Sequence, residues 1–360
     1  MKARTKKILN FALIFGTLAI VLIVSFSGQE MSGAVSALKS VAPKWIILCI
    51  VAYLLFVMME ALAVTLYLRR QGYNIHLPYV FYVSILGQYY CNVTPGATGG
   101  QPMQIYYRCK RKIPIGIGTS ALTVRYFAFQ FMLMVAGTVL WIAYRDFIAE
   151  QVGGSMWILV TGYVYNLFSV SLVLLMAVSK RIVRFCIKLF IRIGAKLRIC
   201  KDPEAALVKW EDVLDTFHTS VMMMRKHPLE LLTQLLFGLL QLLALMAVTY
   251  FVYKGFGMTA FNYGQITALG VMLYISAAYT PLPGASGAQE GLFALFFSGA
   301  YPAGIRAMAL LLWRFFTYYI SLILGAIVSV GGSIRSNRKH KREEREAAKT
   351  AVESTDKLPT

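Results

Sequence analysis

Two stretches decide how this chain is read: NVTPGATGGQPM at residues 92–103 and PLPGASGAQEGL at residues 281–292. Both are crowded with helix breakers. Each follows an apolar run, 78–92 and 263–279, that is too short for the roughly 20 residues a helix needs to cross about 30 Å of hydrocarbon. Pro95-Gly96-Ala97-Thr98-Gly99 aligns with Pro283-Gly284-Ala285-Ser286-Gly287, and Gln101 aligns with Gln289. Beyond each motif, at nearly the same distance, an arginine stands inside a long apolar run: Arg125 in VRYF and Arg314 in WRFF.

The surrounding composition is that of a membrane protein. Of 360 residues, 58% are hydrophobic and 14% charged, with mean hydropathy +0.62. Soluble chains sit nearer half apolar and a quarter charged. Six stretches are long and apolar enough to span: 8–26, 45–68, 115–144, 155–179, 229–253 and 302–331. The first follows Lys2, Arg4, Lys6 and Lys7, but its apolar run exceeds a signal-peptide core and no A-x-A site follows. It is expected to be a retained span.

The net charge of +20 suggests nucleic acid only until its distribution is considered. Basic residues cluster beside alternate span ends, the pattern of the positive-inside rule and of contact with anionic lipid. Arg69 and Arg70 follow the second span. Arg108, Lys110, Arg111 and Lys112 follow the first motif, so the 78–108 segment is expected to enter and leave by one face as a re-entrant hairpin. Eight basic residues between Lys180 and Lys201 follow the fourth span, and Arg335, Arg338, Lys339, Lys341 and Arg342 follow the sixth. Both termini are then expected in the cytoplasm.

The expected fold is an all-α polytopic membrane protein. It has six full transmembrane helices plus two re-entrant helical hairpins in an inverted repeat. Residues 1–144 form the first copy, with its hairpin near 78–108. Residues 155–333 form the second, with an amphipathic insert at 180–228 and a hairpin near 263–298; 334–360 form a charged tail. Three full spans per copy force the second to insert upside down. Inverted repeats with broken segments mark many secondary transporters, with the substrate near the midplane where the repeats meet.

At 1.5 Å per residue, Arg125 sits ~15 Å from the inner end of its span and Arg314 ~18 Å from the outer end of its own. A guanidinium at mid-bilayer is costly unless paired or wet, and it matches a phosphate in bidentate fashion. The expected binding set is therefore Arg125 and Arg314 with the two motifs: Pro95, Gly96, Thr98, Gly99, Gln101, Pro283, Gly284, Ser286, Gly287, Gln289 and Glu290. The alternative is that each arginine pairs with an intramembrane acid or with hairpin carbonyls. Glu60 and Glu290 are the candidates for charge pairing or for proton coupling. No catalytic residue, metal site or cofactor is expected. The four histidines are scattered, the five cysteines show no C-x-x-C, and neither motif is a P-loop or a G-x-S-x-G elbow.

The doubled P-G-A-[TS]-G hairpins, QPMQIYYRCKRK, VRYF, PLPGASGAQEG and WRFF together resemble the transmembrane domain of the lysylphosphatidylglycerol synthase/flippase family. That is the membrane half of the multiple peptide resistance factor and its stand-alone relatives. The resemblance implies a flippase for anionic or aminoacylated phospholipid in a bacterial plasma membrane, linked to resistance to cationic antimicrobial peptides. It points to Pro95, Gly96, Gly99, Arg125, Pro283, Gly284, Glu290 and Arg314. Alternatives are a lipid-modifying enzyme of the phosphatidylglycerol lysyltransferase type and a translocase for a polyprenyl-phosphate-linked carrier. Only a short charged tail follows Gly332, so lysyltransferase activity is not expected. Many relatives carry an acid just after the first motif, where this chain has Gln101 and Pro102. The expected partner is membrane phospholipid; a separate lipid synthase and a second copy of the chain are left open.

Overall fold

The computed structural model describes residues 41–196 and 203–329, and all regular structure among them is helical. The expected first span, 8–26, and the charged tail, 334–360, lie outside the described residues.

The remaining five expected spans are long apolar helices. Pro43–Arg70 (α1) starts on a proline, whose missing N–H costs nothing in a first turn, and ends on Arg69 and Arg70. Leu77–Val93 (α2) breaks at the first motif, and Gly100–Cys109 (α3) packs back against it. Ile115–Ala143 (α4) is the next long helix. A short helix, Arg145–Val152 (α5), precedes Met156–Val178 (α6). Then come two helices of the insert, Lys180–Lys196 (α7) and Pro203–Lys226 (α8), and the long Pro228–Gly255 (α9).

From α9 onward the order of long helix, short helix, motif turn, short helix and long helix recurs. Tyr263–Ala277 (α10) starts with a reciprocal cap: Asn262 accepts from the Gln265 amide, and the Gln265 side chain accepts from the Asn262 amide. The second motif follows, and Ala288–Phe296 (α11) packs back against α10. Ala303–Arg314 (α12) runs into a π-helical turn, Phe315–Tyr319, and helix continues to residue 329. That turn begins directly after Arg314; such insertions are rare and cluster at functional places.

Packing explains how the short helices tolerate their length. The main core lies among α1, α9, α10, α11 and α12, where Phe293 stacks on Phe297 with centroids 4.6 Å apart. Nearly every residue of α10 from Ile266 to Ala277 is buried. An apolar helix too short to span is thus wrapped in protein, one of the two settings in which a membrane tolerates broken backbone, the other being the wall of a water-filled cavity. The long helices instead present apolar side chains outward, such as Ile47, Val51 and Leu55 on α1 and Val164, Leu167 and Phe168 on α6.

The insert is not a loose connector. Leu214 and Phe217 of α8 are buried, and α8 packs on α4. Two ion pairs clip α7 to α8: Lys180–Asp215 at 2.6 Å and Arg184–Glu211 at 3.4 Å.

Candidate functional site

Each motif turns the chain in the same way through its Pro-Gly-Ala, and the two diverge after it, Thr98 being helical where Ser286 is extended. Gly96 has φ 59° and ψ 23°, and Gly284 has φ 58° and ψ 22°. The alanines that follow, Ala97 and Ala285, are also left-handed, at φ 56° and 50°. Only glycine adopts that region without a Cβ penalty, so the repeated P-G-A is a repeated backbone shape. The two turns touch: the Gly96 amide donates to the Pro281 carbonyl at 2.8 Å. Beside them Tyr318 donates to the Asn92 carbonyl at 3.2 Å, and Asn92 donates to Ser321 Oγ at 2.6 Å.

Behind the second turn lies a closed ionic knot. Arg314, 1% exposed, donates from Nε to Glu290 Oε1 at 2.5 Å, from Nη1 to Gln289 Oε1 at 2.6 Å and from Nη2 to the Gly284 carbonyl at 3.1 Å. Ser286 Oγ, 3.5 Å from Nη2, itself donates to the Pro283 carbonyl at 2.8 Å. The other Glu290 oxygen accepts from the Gly287 amide at 2.6 Å, which caps the start of α11. Gly284 is needed for space as well as for its positive φ, since a Cβ there would fall 2.2 Å from the Tyr318 ring.

The first hairpin carries a different arrangement. Its carboxylate comes from α1: Glu60, fully buried, accepts from Gln88 Nε2 at 2.7 Å and Gln104 Nε2 at 3.0 Å. Arg125 Nη1 reaches Glu60 Oε2 at 3.4 Å, long for a charge-assisted bond. Arg125 keeps 14% of its side-chain surface open and Arg314 only 2%. Arg108, 1% exposed, donates from Nη2 to Gln104 Oε1 at 2.8 Å.

The sequence candidates separate accordingly. Arg314, Glu290, Gln289, Ser286 and Gly284 come together around the second turn, with Pro283 and Gly287 in its backbone. Arg125 and Glu60 meet behind the first turn. Pro95, Gly96 and Thr98 lie on the exposed turn itself, Gly99 is half-buried beside it, and Thr98 donates to the Pro95 carbonyl at 3.0 Å. Gln101 is exposed and has no part matching that of Gln289. Gln88, Gln104 and Arg108 were not expected at the site; Arg108 reads in sequence as one more inner-face positive charge, yet it is buried. The signal was present in the four-residue step from Gln104 to Arg108, which puts both on one face of α3.

Two cavities lie apart from both clusters. One of ≈190 Å³ is lined by Arg70 and Glu230 between α1 and α9. The other, ≈290 Å³ and apolar, lies where α4 and α6 meet the insert. Among the described residues no group of His, Cys, Asp and Glu could hold a metal ion.

In comparison with known proteins, the family described as the lysylphosphatidylglycerol synthase TM region matches residues 8–325. No curated protein matches the chain.

Proposed function

The chain belongs to the lysylphosphatidylglycerol synthase TM-region family, and on that footing we propose that it is a membrane lipid translocase. Its cargo is a phospholipid with an anionic or aminoacylated headgroup, lysylphosphatidylglycerol being the form that the family's description suggests. In this reading α2–α3 and α10–α11 are re-entrant hairpins dipping from opposite faces of a bacterial plasma membrane, related as inverted repeats. Like turns at Gly96 and Gly284, and like packing of each hairpin against its neighbours, support that reading. The observation that carries it is the meeting of the two broken hairpins, each backed by a buried glutamate paired with an arginine.

The two arginines divide the work. Arg314 has an acceptor for each of its three nitrogens, so it holds the second turn in shape. Arg125 is held loosely by Glu60 and is partly open, so its guanidinium can turn to a headgroup phosphate. With no ATP-binding motif in the sequence, movement follows a lipid or ion gradient.

The test is leaflet exchange of fluorescent phosphatidylglycerol in liposomes holding the purified full-length chain. Exchange should exceed that of protein-free liposomes and fall at least tenfold in Arg125→Gln, the usual scale for one charged hydrogen bond. Exchange no faster than in protein-free liposomes overturns the reading. Covalent change of the lipid would replace it with an enzymatic one.

A further inference from the structure

The buried charges of the two halves do not balance alike. In the second half one guanidinium, Arg314, faces one carboxylate, Glu290, and the arginine's nitrogens all have acceptors. In the first half two guanidinium groups, Arg108 and Arg125, are linked to one carboxylate, Glu60, the first through Gln104 and the second directly. Among the described residues Glu60 is the only acid bonded into this network, so it carries one uncompensated positive charge.

The hydrogen bonds show the same deficit. Arg108 Nε, Arg108 Nη1 and Arg125 Nε are buried without an acceptor. Both Glu60 oxygens are already engaged by Gln88, Gln104 and Arg125. The Gln104 carbonyl oxygen is taken by Arg108 Nη2. A buried guanidinium lacking partners costs several kcal/mol, and proteins seldom leave such donors unmatched. The mismatch is one negative charge and several acceptor oxygens, which is the chemistry of a phosphate group.

We propose that Arg108, Gln104 and Arg125 form an anion subsite behind the first turn that takes a single phosphate group. No equivalent forms behind the second turn, where Glu290 fills the corresponding place. Glu60 orients the subsite through the two glutamines and keeps its net charge at one. The lipid-translocase reading supplies only the identity of the natural carrier, a phosphodiester headgroup; the subsite stands on the charge count and on the buried donors without acceptors. The two hairpins then have unequal tasks, with the first binding and the second serving as a fixed abutment.

Binding is measured apart from transport, by thermal unfolding of the detergent-solubilised full-length chain titrated with short-chain phosphatidylglycerol, with zwitterionic phosphatidylcholine and with inorganic phosphate. Wild type should gain stability with phosphatidylglycerol. A gain of equal size with inorganic phosphate identifies a free phosphate as the ligand, and no gain with it identifies the lipid; both uphold the subsite. Arg108→Gln should weaken the phosphatidylglycerol response about tenfold or more, and Arg145→Gln, at an exposed position, should leave it unchanged. In ligand-free protein Arg108→Gln should unfold at the same or a higher temperature, because it removes an uncompensated charge. A merely structural Arg108 predicts the opposite: lower intrinsic stability and an unchanged ligand response. If Arg108→Gln does not fold, Arg108→Lys keeps the charge but loses donors and should bind more weakly than wild type.

No response of wild type to either phosphate ligand, or an equal response to phosphatidylcholine, overturns the subsite. Leaflet exchange that persists in Arg108→Gln overturns it while leaving the translocase reading intact. Binding without exchange does the reverse.

Discussion

Glu290 gives one carboxylate oxygen to the Gly287 amide and the other to Arg314 Nε. Removing it unmakes a helix cap and strands a buried guanidinium together. Glu290→Ala should therefore destabilise by about 3–5 kcal/mol, and Arg314→Ala by a similar amount. The double substitution should cost much less than their sum, because the pair acts as a unit; thermal unfolding of the three variants checks this. A finer contrast exists between the two turns. Gly96→Ala adds only left-handed strain, about 1 kcal/mol, since the nearest atom to its Cβ is a Thr98 methyl at 3.8 Å. Gly284→Ala adds the same strain and drives a methyl into the Tyr318 ring, so it should lower the unfolding temperature distinctly more. At this scale the charged residues were legible. Arg125, Arg314, Glu60 and Glu290 stand in apolar runs, where a charge without a partner is too expensive to leave unexplained. Gln88 was not, because one uncharged amide in an apolar helix raises no alarm; Gln104 and Arg108 showed only their four-residue step, and basic residues after a hairpin already have a reason to be there.

Element by element, the five described spans and both broken segments follow from hydropathy and from proline and glycine. What hydropathy does not reveal is which helix lies against which. Gly162 of α6 shows why. A Cβ there would fall 2.5 Å from the Ile275 carbonyl at the end of α10, and Asn166 donates to that same carbonyl at 3.1 Å while accepting from Gln130 of α4. Three helices are thus joined by one small residue and two amides, a contact that no single segment announces. The docking of the insert was equally hidden, since α8 alternates charge and apolar residues as any surface helix would. Its clip to α7 is exposed and so sensitive to salt. Hydrogen bonding to Lys180 holds the Asp215 carboxyl below its usual range. A depressed carboxyl contributes stability above its unfolded value and loses it as pH falls. Contact between α7 and α8 should therefore loosen below about pH 4, and hydrogen exchange across residues 203–226 should speed up there and in high salt.

At the level of the whole chain, the two halves share a core where α1 packs along α9, and they touch again where the turns meet. Cysteines replacing Gly96 and Pro281, introduced into a chain without its native cysteines, should form a disulfide on mild oxidation, because the peptide groups there are already hydrogen-bonded. A proteolytic cut between the halves followed by non-reducing electrophoresis would show it, and the bonded protein should exchange lipid more slowly than the reduced one. Absence of the cross-link would separate the turns. Behind each turn a carboxylate and an arginine are bonded in protein interior; between the turns the partners are neutral peptides, tyrosine and asparagine. A neutral hydrogen bond is worth only about 1 kcal/mol, little more than thermal energy, whereas severing either charged cluster costs several times that. The tips are consequently the lightly held part of the contact between the halves, and a fluctuation that parts them would leave the shared core of α1 and α9 intact, like the leaves of a door that latch lightly and hinge firmly.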